Sequence, residues 1–256
     1  MQPKKSLGQH WLHDEASLNA MLAAGEVTGE DIVLEVGPGL GTLTKKLCVA
    51  AKKVIAVELD DILAADLKNK VPAENLEVVH QSILDFDTSV LPKGYKIIAN
   101  IPYYLTSNLI RIMLESPNPP SVMVLLIQKE VAQRVVAGAG EMGILSVATQ
   151  FYAEAALKEE VPAELFTPPP KVDSQILQLK LRKTPLFENV NTDQFFKIVK
   201  AGFSEKRKKL RSALSGGLNI SKQEADTLLQ AANISLDARA QELTLEQWHE
   251  LNKSLK

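Results

Sequence analysis

The sequence predicts an α/β fold built on a parallel sheet and followed by a small all-helical domain. Three observations predict it. Short β-rich apolar runs alternate with helix-sized segments from Asp31 to Leu181, a glycine-rich turn follows the first run, and the β runs stop near Arg182-Lys183-Thr184-Pro185. Strands separated by helix-sized segments form βαβ units with right-handed crossovers. At 256 residues, 45% hydrophobic and 23% charged, the chain has ordinary globular composition. It is long enough to bury a large core in one or two domains.

Taken in order, Ile32–Val36 reads as a buried strand, Thr42–Ala50 as a helix and Lys53–Glu58 as a second strand. Asp60–Lys70 places Ile62, Leu63, Ala65, Asp66 and Leu67 in a mostly amphipathic helical pattern. Leu76–His80, Tyr95–Ala99 and Ser121–Ile127 supply three further strands. Beyond them Phe195, Ile198, Val199, Gly202 and Phe203 recur at helical spacing, as do Leu228, Leu229 and Ala232. Residues 1–185 are therefore expected to form the sheet domain and 186–256 the helical one.

Several function classes are excluded. Val122–Ile127 is among the longest apolar runs and is strand-sized, far short of the ~18 residues a membrane span needs. Gly8-Gln9-His10 follows Lys4 and Lys5 in place of an apolar stretch, so no signal peptide is expected. The single Cys48, between Leu47 and Val49, reads as a small core residue and cannot form an intramolecular disulfide. That suits a reducing, cytoplasmic setting. Net charge is −2, with 18 basic against 22 acidic residues up to Thr184 and 11 against 9 after it, so any affinity for polyanions is local. His10 and His13 have no Cys or third His beside them, and His80 and His249 are isolated, so no metal site is expected. Nothing calls for an obligate dimer, and a monomer is expected.

Glu35-Val36-Gly37-Pro38-Gly39-Leu40-Gly41 follows the first strand and opens a helix. Glycines there let the backbone turn tightly against a ligand at the carboxyl edge of the sheet, as in Rossmann-like folds. A dinucleotide fingerprint would place glycine where Thr42 stands; here the third glycine comes one residue early, as Gly41. Glu58 ends the second strand, where a carboxylate can accept both ribose hydroxyls. No basic residue stands at the turn to meet a pyrophosphate, which favours a nucleoside ligand. The combination resembles the cofactor turn of S-adenosylmethionine-dependent methyltransferases.

Ala99-Asn100-Ile101-Pro102-Tyr103-Tyr104 ends the fourth strand, again at the carboxyl edge. Its form resembles the motif of methyltransferases acting on exocyclic amines of bases. An adenine amine is a poor nucleophile because its lone pair is delocalised into the ring. The Asn100 oxygen and the carbonyl before Pro102 can accept both amine hydrogens and free that lone pair. Tyr103 can stack on a base drawn out of its helix or loop.

These motifs, in this order, resemble the ribosomal RNA adenine dimethyltransferases of the KsgA type over nearly the whole chain. The resemblance begins at Lys5-Ser6-Leu7-Gly8-Gln9-His10-Trp11-Leu12. It continues through the glycine turn and the Asn100 motif to Phe166-Thr167-Pro168-Pro169-Pro170-Lys171-Val172-Asp173-Ser174 and Phe203-Ser204-Glu205-Lys206-Arg207-Lys208-Lys209-Leu210. It implies a class I S-adenosylmethionine-dependent methyltransferase sheet, S-adenosylmethionine as cofactor and small-subunit ribosomal RNA in an immature subunit as substrate. The implied reaction dimethylates two adjacent adenosines. It further implies that His10, Leu12, Gly37, Gly39, Gly41, Glu58, Ser82, Ile83 and Asn100 border the cofactor, and that Asn100, Pro102 and Tyr103 carry the chemistry. Two positions depart from the family: His10 stands where asparagine is usual, and Ser82 where an aspartate is usual. A serine carries no charge, so its contact with the cofactor's adenine is expected to be weaker.

Lys206, Arg207, Lys208, Lys209 and Arg211, with Lys200, oppose only Glu205 in their stretch of chain. In a near-neutral protein this is a local phosphate-binding patch, to which Phe166, Lys4 and Lys5 are added as RNA contacts. Trp11 and Trp248 read as packing residues. The competing readings are a resistance-type methyltransferase acting on large-subunit RNA, a non-catalytic assembly or transcription factor on the same fold, and a nicotinamide dehydrogenase. Intact Asn100, Pro102 and Tyr103 stand against the second, and Thr42 against the third.

Overall fold

In a computed structural model, residue 4 and residues 8–255 are described. The chain divides into two compact units: one runs up to Gln133 and resumes over Glu154–Arg182, the other comprises Arg134–Ala153 and the chain from Lys183 onward. The first unit opens with β1 (Trp11–Leu12), α1 (Glu15–Ala24), β2 (Ile32–Val36), α2 (Thr42–Ala50), β3 (Lys53–Glu58) and α3 (Asp61–Lys70). It continues with β4 (Leu76–His80), β5 (Lys96–Asn100), α4 (Thr106–Leu114) and β6 (Val122–Gln128). α5 (Lys129–Val136) and α6 (Ile144–Tyr152) precede β7 (Ala153–Val161), β8 (Phe166–Thr167) and β9 (Ser174–Leu181). Then come α7 (Thr192–Phe203), α8 (Leu210–Leu218), α9 (Lys222–Ala231) and α10 (Leu245–Ser254).

The main sheet has the order β4-β3-β2-β5-β6-β9-β7. β2 pairs in parallel with β3 and β5, β3 with β4, and β5 with β6, whereas β9 runs antiparallel to β6. Val33, Val54, Ile98, Val124 and Leu126 from the sheet pack with Leu18 and Met21 of α1, Leu43 and Leu47 of α2, and Leu67 of α3. Each such side chain removed from water contributes about 1.5–3 kcal/mol. Aspartates set the helix starts: Asp14 accepts from Ser17 N, and Asp60 from Ile62 and Leu63 N.

The five strands expected from sequence form within one residue of their expected bounds. β7 and β9 were not anticipated, for physical reasons. β7 is an edge strand, Ala-Glu-Ala-Ala-Leu-Lys-Glu-Glu-Val, whose charged residues guard an open edge at the expense of β propensity. β9 buries Gln175 and Gln178, whose amides are satisfied by the Lys158 and Ala24 carbonyls. Polar residues at buried positions break the apolar signature of a strand.

The second unit is helical, as expected. Its core gathers Phe195, Ile198, Val199, Phe203, Leu214, Leu229 and the fully buried Trp248. The expected boundary at 185/186 falls at 182/183, and residues 134–153, read from sequence as part of the sheet domain, belong to this unit. The cause lies in α6, which puts the fully buried Val147 and Phe151 into that core, the Phe151 ring stacking on Phe195 at 4.8 Å.

Candidate functional site

Four parallel strands deliver their carboxyl ends to one edge of the sheet. The order β4-β3-β2-β5 sets Ser82, Glu58, the Gly37–Gly41 turn and Asn100 in that sequence along it. These ends and the Gly8–Leu12 segment line one cavity of about 260 Å³.

The glycine turn is built as anticipated, with one reassignment. Gly37, Gly39 and Gly41 have φ of 67°, 57° and 82°, a region that side chains rarely adopt. Gly39 faces the cavity, where a Cβ would lie 3.2 Å from the Trp11 ring. Gly41 does not line the cavity: it caps α2, and a Cβ there would sit 2.8 Å from Val71 and 2.9 Å from Leu67. Its role is to let the turn close against α3.

Glu58 is buried at the mouth of β3. One carboxylate oxygen accepts from Asp60 N at 2.9 Å and the other from Gly39 N at 3.1 Å. Each oxygen keeps a second lone pair, so the group is oriented yet able to accept two more donors. Burial pushes its pKa up, and the two backbone N–H groups pull it back.

Glu35, within β2, was not singled out from sequence as a site residue. It lines the cavity at 1% exposure, and its Oε2 has no hydrogen-bond partner among the described residues. Burial pushes its pKa up to about 8, the Thr44 hydroxyl beside it pulls the other way, and the nearby Glu58 charge adds to the rise. The available signal was a lone carboxylate inside the apolar run Ile-Val-Leu-Glu-Val.

Asn100 ends β5, and its Nδ2 donates to the His10 carbonyl at 3.2 Å. Because that carbonyl can only accept, the amide orientation is fixed and Oδ1 is left as the available acceptor. The Tyr103 hydroxyl and Ser174 Oγ lie 2.8 Å apart, and the imidazole of His10 stacks on the Tyr103 ring. Tyr104, beside it on the cavity wall, is exposed.

The segment carrying His10 and Leu12 is tied down from several sides. β1 pairs antiparallel with β8, Leu12 opposite Phe166, and Thr42 Oγ1 donates to the Leu12 carbonyl at 2.9 Å. Phe166 is buried in the sheet-domain core, which removes it from the expected RNA contacts. Lys4 is also committed elsewhere, pairing with Asp60 at 2.9 Å and Asp61 at 3.5 Å. Lys5, Ser6 and Leu7 lie outside the described residues.

Ser82 and Ile83 follow β4 on the cavity wall, and Ser82 Oγ accepts from Leu84 N at 3.2 Å. Asp85 is exposed and does not line the cavity, so it cannot replace the missing aspartate.

The basic run is thinner than its sequence suggests. Lys208 pairs with Glu205, Lys209 with Asp237 at 2.5 Å, and Arg211 with Asp226 at 2.5 Å. Lys200, Lys206 and Arg207 are exposed and make no ion pair among the described residues. Arg211, expected to contact RNA, is half-buried and paired with Asp226, which takes up part of its charge. Among the described residues no helix is long and apolar enough to cross a membrane.

Residues 1–256 match the family described as ribosomal RNA adenine dimethylase. The chain is 42% identical over 252 residues to ribosomal RNA small subunit methyltransferase A of Dehalococcoides mccartyi, covering 97% of this chain and 87% of the relative. The protein of that name from Clostridioides difficile is 37% identical, over 97% of this chain and 89% of the relative. Among solved structures, the 23S rRNA methyltransferase ErmE superposes with a TM-score of 0.77 at 28% identity, covering 96% of this chain and 99% of that one. A dimethyladenosine transferase from Plasmodium falciparum superposes at 0.80 with 27% identity, covering 96% and 98%.

Proposed function

The chain belongs to the ribosomal RNA adenine dimethylase family, and from that premise we propose that it methylates the exocyclic amines of two adjacent adenosines in small-subunit ribosomal RNA. The observation that carries the reading is the order Ser82, Glu58, Gly37, Asn100 along one sheet edge and around one cavity. A nucleoside cofactor with its ribose at Glu58 and its reactive end at Asn100 has only the Ser82 end left for its base.

The residues fit S-adenosylmethionine. Glu58 has two acceptor positions left for a ribose, and the buried Glu35 carboxyl, its Oε2 without a partner among the described residues, lies in the same wall. Gly37 and Gly39 let the backbone approach the ligand, and Ser82 and Ile83 face the base. When bound, the cofactor supplies an electrophilic methyl group. Asn100 Oδ1 and the Ile101 carbonyl accept the two hydrogens of the target amine, drawing its lone pair out of the ring. Tyr103 stacks on the flipped base and Pro102 fixes the turn between them. Growing positive charge on the amine meets the Asn100 oxygen, already aimed by the His10 carbonyl.

The small-subunit assignment is supported by the 42% identity to proteins carrying that name, against 28% to the large-subunit enzyme. Lys200, Lys206 and Arg207 serve as RNA-phosphate contacts. An immature small subunit as substrate, a monomeric state and a cytoplasmic location complete the proposal. The test is incubation with labelled S-adenosylmethionine and small subunits lacking the modification, followed by nucleoside analysis. Labelled N6,N6-dimethyladenosine in the small-subunit RNA is expected. Label only in large-subunit RNA would favour the resistance-type activity, and no label would favour an assembly factor.

A further inference from the structure

We infer that His10 is a positioning residue that backs the stacking platform of Tyr103, so that imidazole, phenol and target adenine form a three-layer stack. The inference rests on the adenine methylation proposed above. The His10 and Tyr103 rings are 5.8 Å apart between centroids and inclined by 20°, an offset stack. The imidazole cannot swing away freely, because its Nδ1 donates to the Pro168 carbonyl at 2.7 Å. The phenol is held at its other end by the Tyr103 hydroxyl contact with Ser174 Oγ at 2.8 Å. One face of Tyr103 is thus covered by a ring that is itself anchored, so a base that stacks on this phenol must take the other face.

Residue 10 acts on the site twice. Its backbone carbonyl takes the Asn100 amide at 3.2 Å, and its side chain sets the tilt of Tyr103. The resemblance assigned His10 to the cofactor, whereas its ring lies against the residue that receives the target base. An asparagine, usual at this position in the resembling family, could donate to Pro168 but has no ring to stack. This chain therefore fixes its tyrosine by a contact that the asparagine cannot make.

Three substitutions separate the two side-chain contacts while leaving the backbone carbonyl in place. His10→Phe keeps a ring and loses the donor, His10→Asn keeps a donor and loses the ring, and His10→Ala loses both. Each is assayed for methyl transfer to unmodified small subunits and for S-adenosylhomocysteine affinity by calorimetry, with thermal unfolding as a check on folding. His10→Asn and His10→Ala are expected to raise KM for the subunit about 2- to 12-fold, the range an aromatic pair contributes. His10→Phe should recover most of that loss, and cofactor-product affinity should stay within about 2-fold in all three. In a Tyr103→Leu background, His10→Ala should add no further loss, since the stack is already gone.

Normal KM in His10→Asn with a raised KM in His10→Phe would overturn the inference in favour of the Pro168 hydrogen bond alone. Weakened S-adenosylhomocysteine binding with unchanged KM would return His10 to the cofactor. Loss of His10→Ala activity that persists undiminished in the Tyr103→Leu background would also overturn it. A wild-type enzyme that binds the cofactor product but modifies no adenine would remove the adenine reading and this inference together, whereas an active wild type with silent His10 variants would remove this inference alone.

Discussion

Replacing Lys206 and Arg207 with alanine should flatten the salt dependence of RNA binding, while replacing Lys209 and Arg211 should not. The structure separates the pairs. Lys206 and Arg207 are exposed with no ion pair among the described residues, so their charge is available to phosphates. Lys209 and Arg211 already face Asp237 and Asp226, so each local pair is close to neutral. Removing one cation from a phosphate lowers the log–log salt slope by about 0.7–0.9, so the first double variant should fall by about 1.4–1.8 units. The second should keep nearly all of its slope and give up some stability. Arg211 is 32% exposed and Asp226 22%, so after screening the broken pair costs on the order of 1 kcal/mol. Fluorescence anisotropy on a small-subunit RNA fragment across a salt series measures the slopes, and thermal unfolding measures the stability. Equal falls in slope for both variants would refute the claim that internal pairing decides which cations meet RNA. An unchanged slope in the Lys206/Arg207 variant would reduce the run to a solvated face.

Glu58→Ala should weaken cofactor affinity by about 3 kcal/mol, the loss of two hydrogen bonds to a carboxylate, and leave RNA affinity unchanged; calorimetry decides both. Ser82→Asp should tighten cofactor binding by about 1 kcal/mol, since a charged acceptor is worth more than a neutral one, and an unchanged affinity would mean that backbone groups read the base. Glu35→Gln should alter the pH profile of stability. A carboxyl raised from 4.5 to about 8 favours the folded state most at low pH and loses that advantage as pH rises through this window. Wild type should therefore lose about 5 kcal/mol relative to Glu35→Gln between about pH 4 and pH 9, at 1.36 kcal/mol per unit. Denaturant unfolding at a series of pH values checks this, and parallel profiles would show that Glu35 ionises freely.

Much of the site was legible because its residues sit at strand ends, where motif and topology coincide. Glycine spacing, Glu58 and the Asn100 tetrapeptide each follow an apolar run that can only be a buried strand. What the sequence hid was pairing and burial. Arg211 looks like its neighbours until Asp226, 15 positions on, is seen against it. Phe166 reads as an aromatic near a breaker cluster, yet pairing with Leu12 buries it. Residues 134–153 leave the sheet domain because Val147 and Phe151 fill a core made elsewhere in the chain. Long-range packing carries no local signature, and Glu35 shows the converse: its signature was local, but its meaning depended on the cavity beside it.

Asn100, fixed by the His10 carbonyl, is the group proposed to activate the target amine. Single-turnover methyl transfer by Asn100→Ala at saturating S-adenosylmethionine and unmodified small subunits tests this most directly. Asn100 ends a strand held between β2 and β6, so the substitution should leave the fold intact. Removing one preorganised partner of the transition state typically costs ~10²–10³ in rate, and a loss of that size, with cofactor and RNA affinities nearly unchanged, is the expected result. A rate close to wild type would take the activation of the amine away from Asn100 and leave it to other groups of the site.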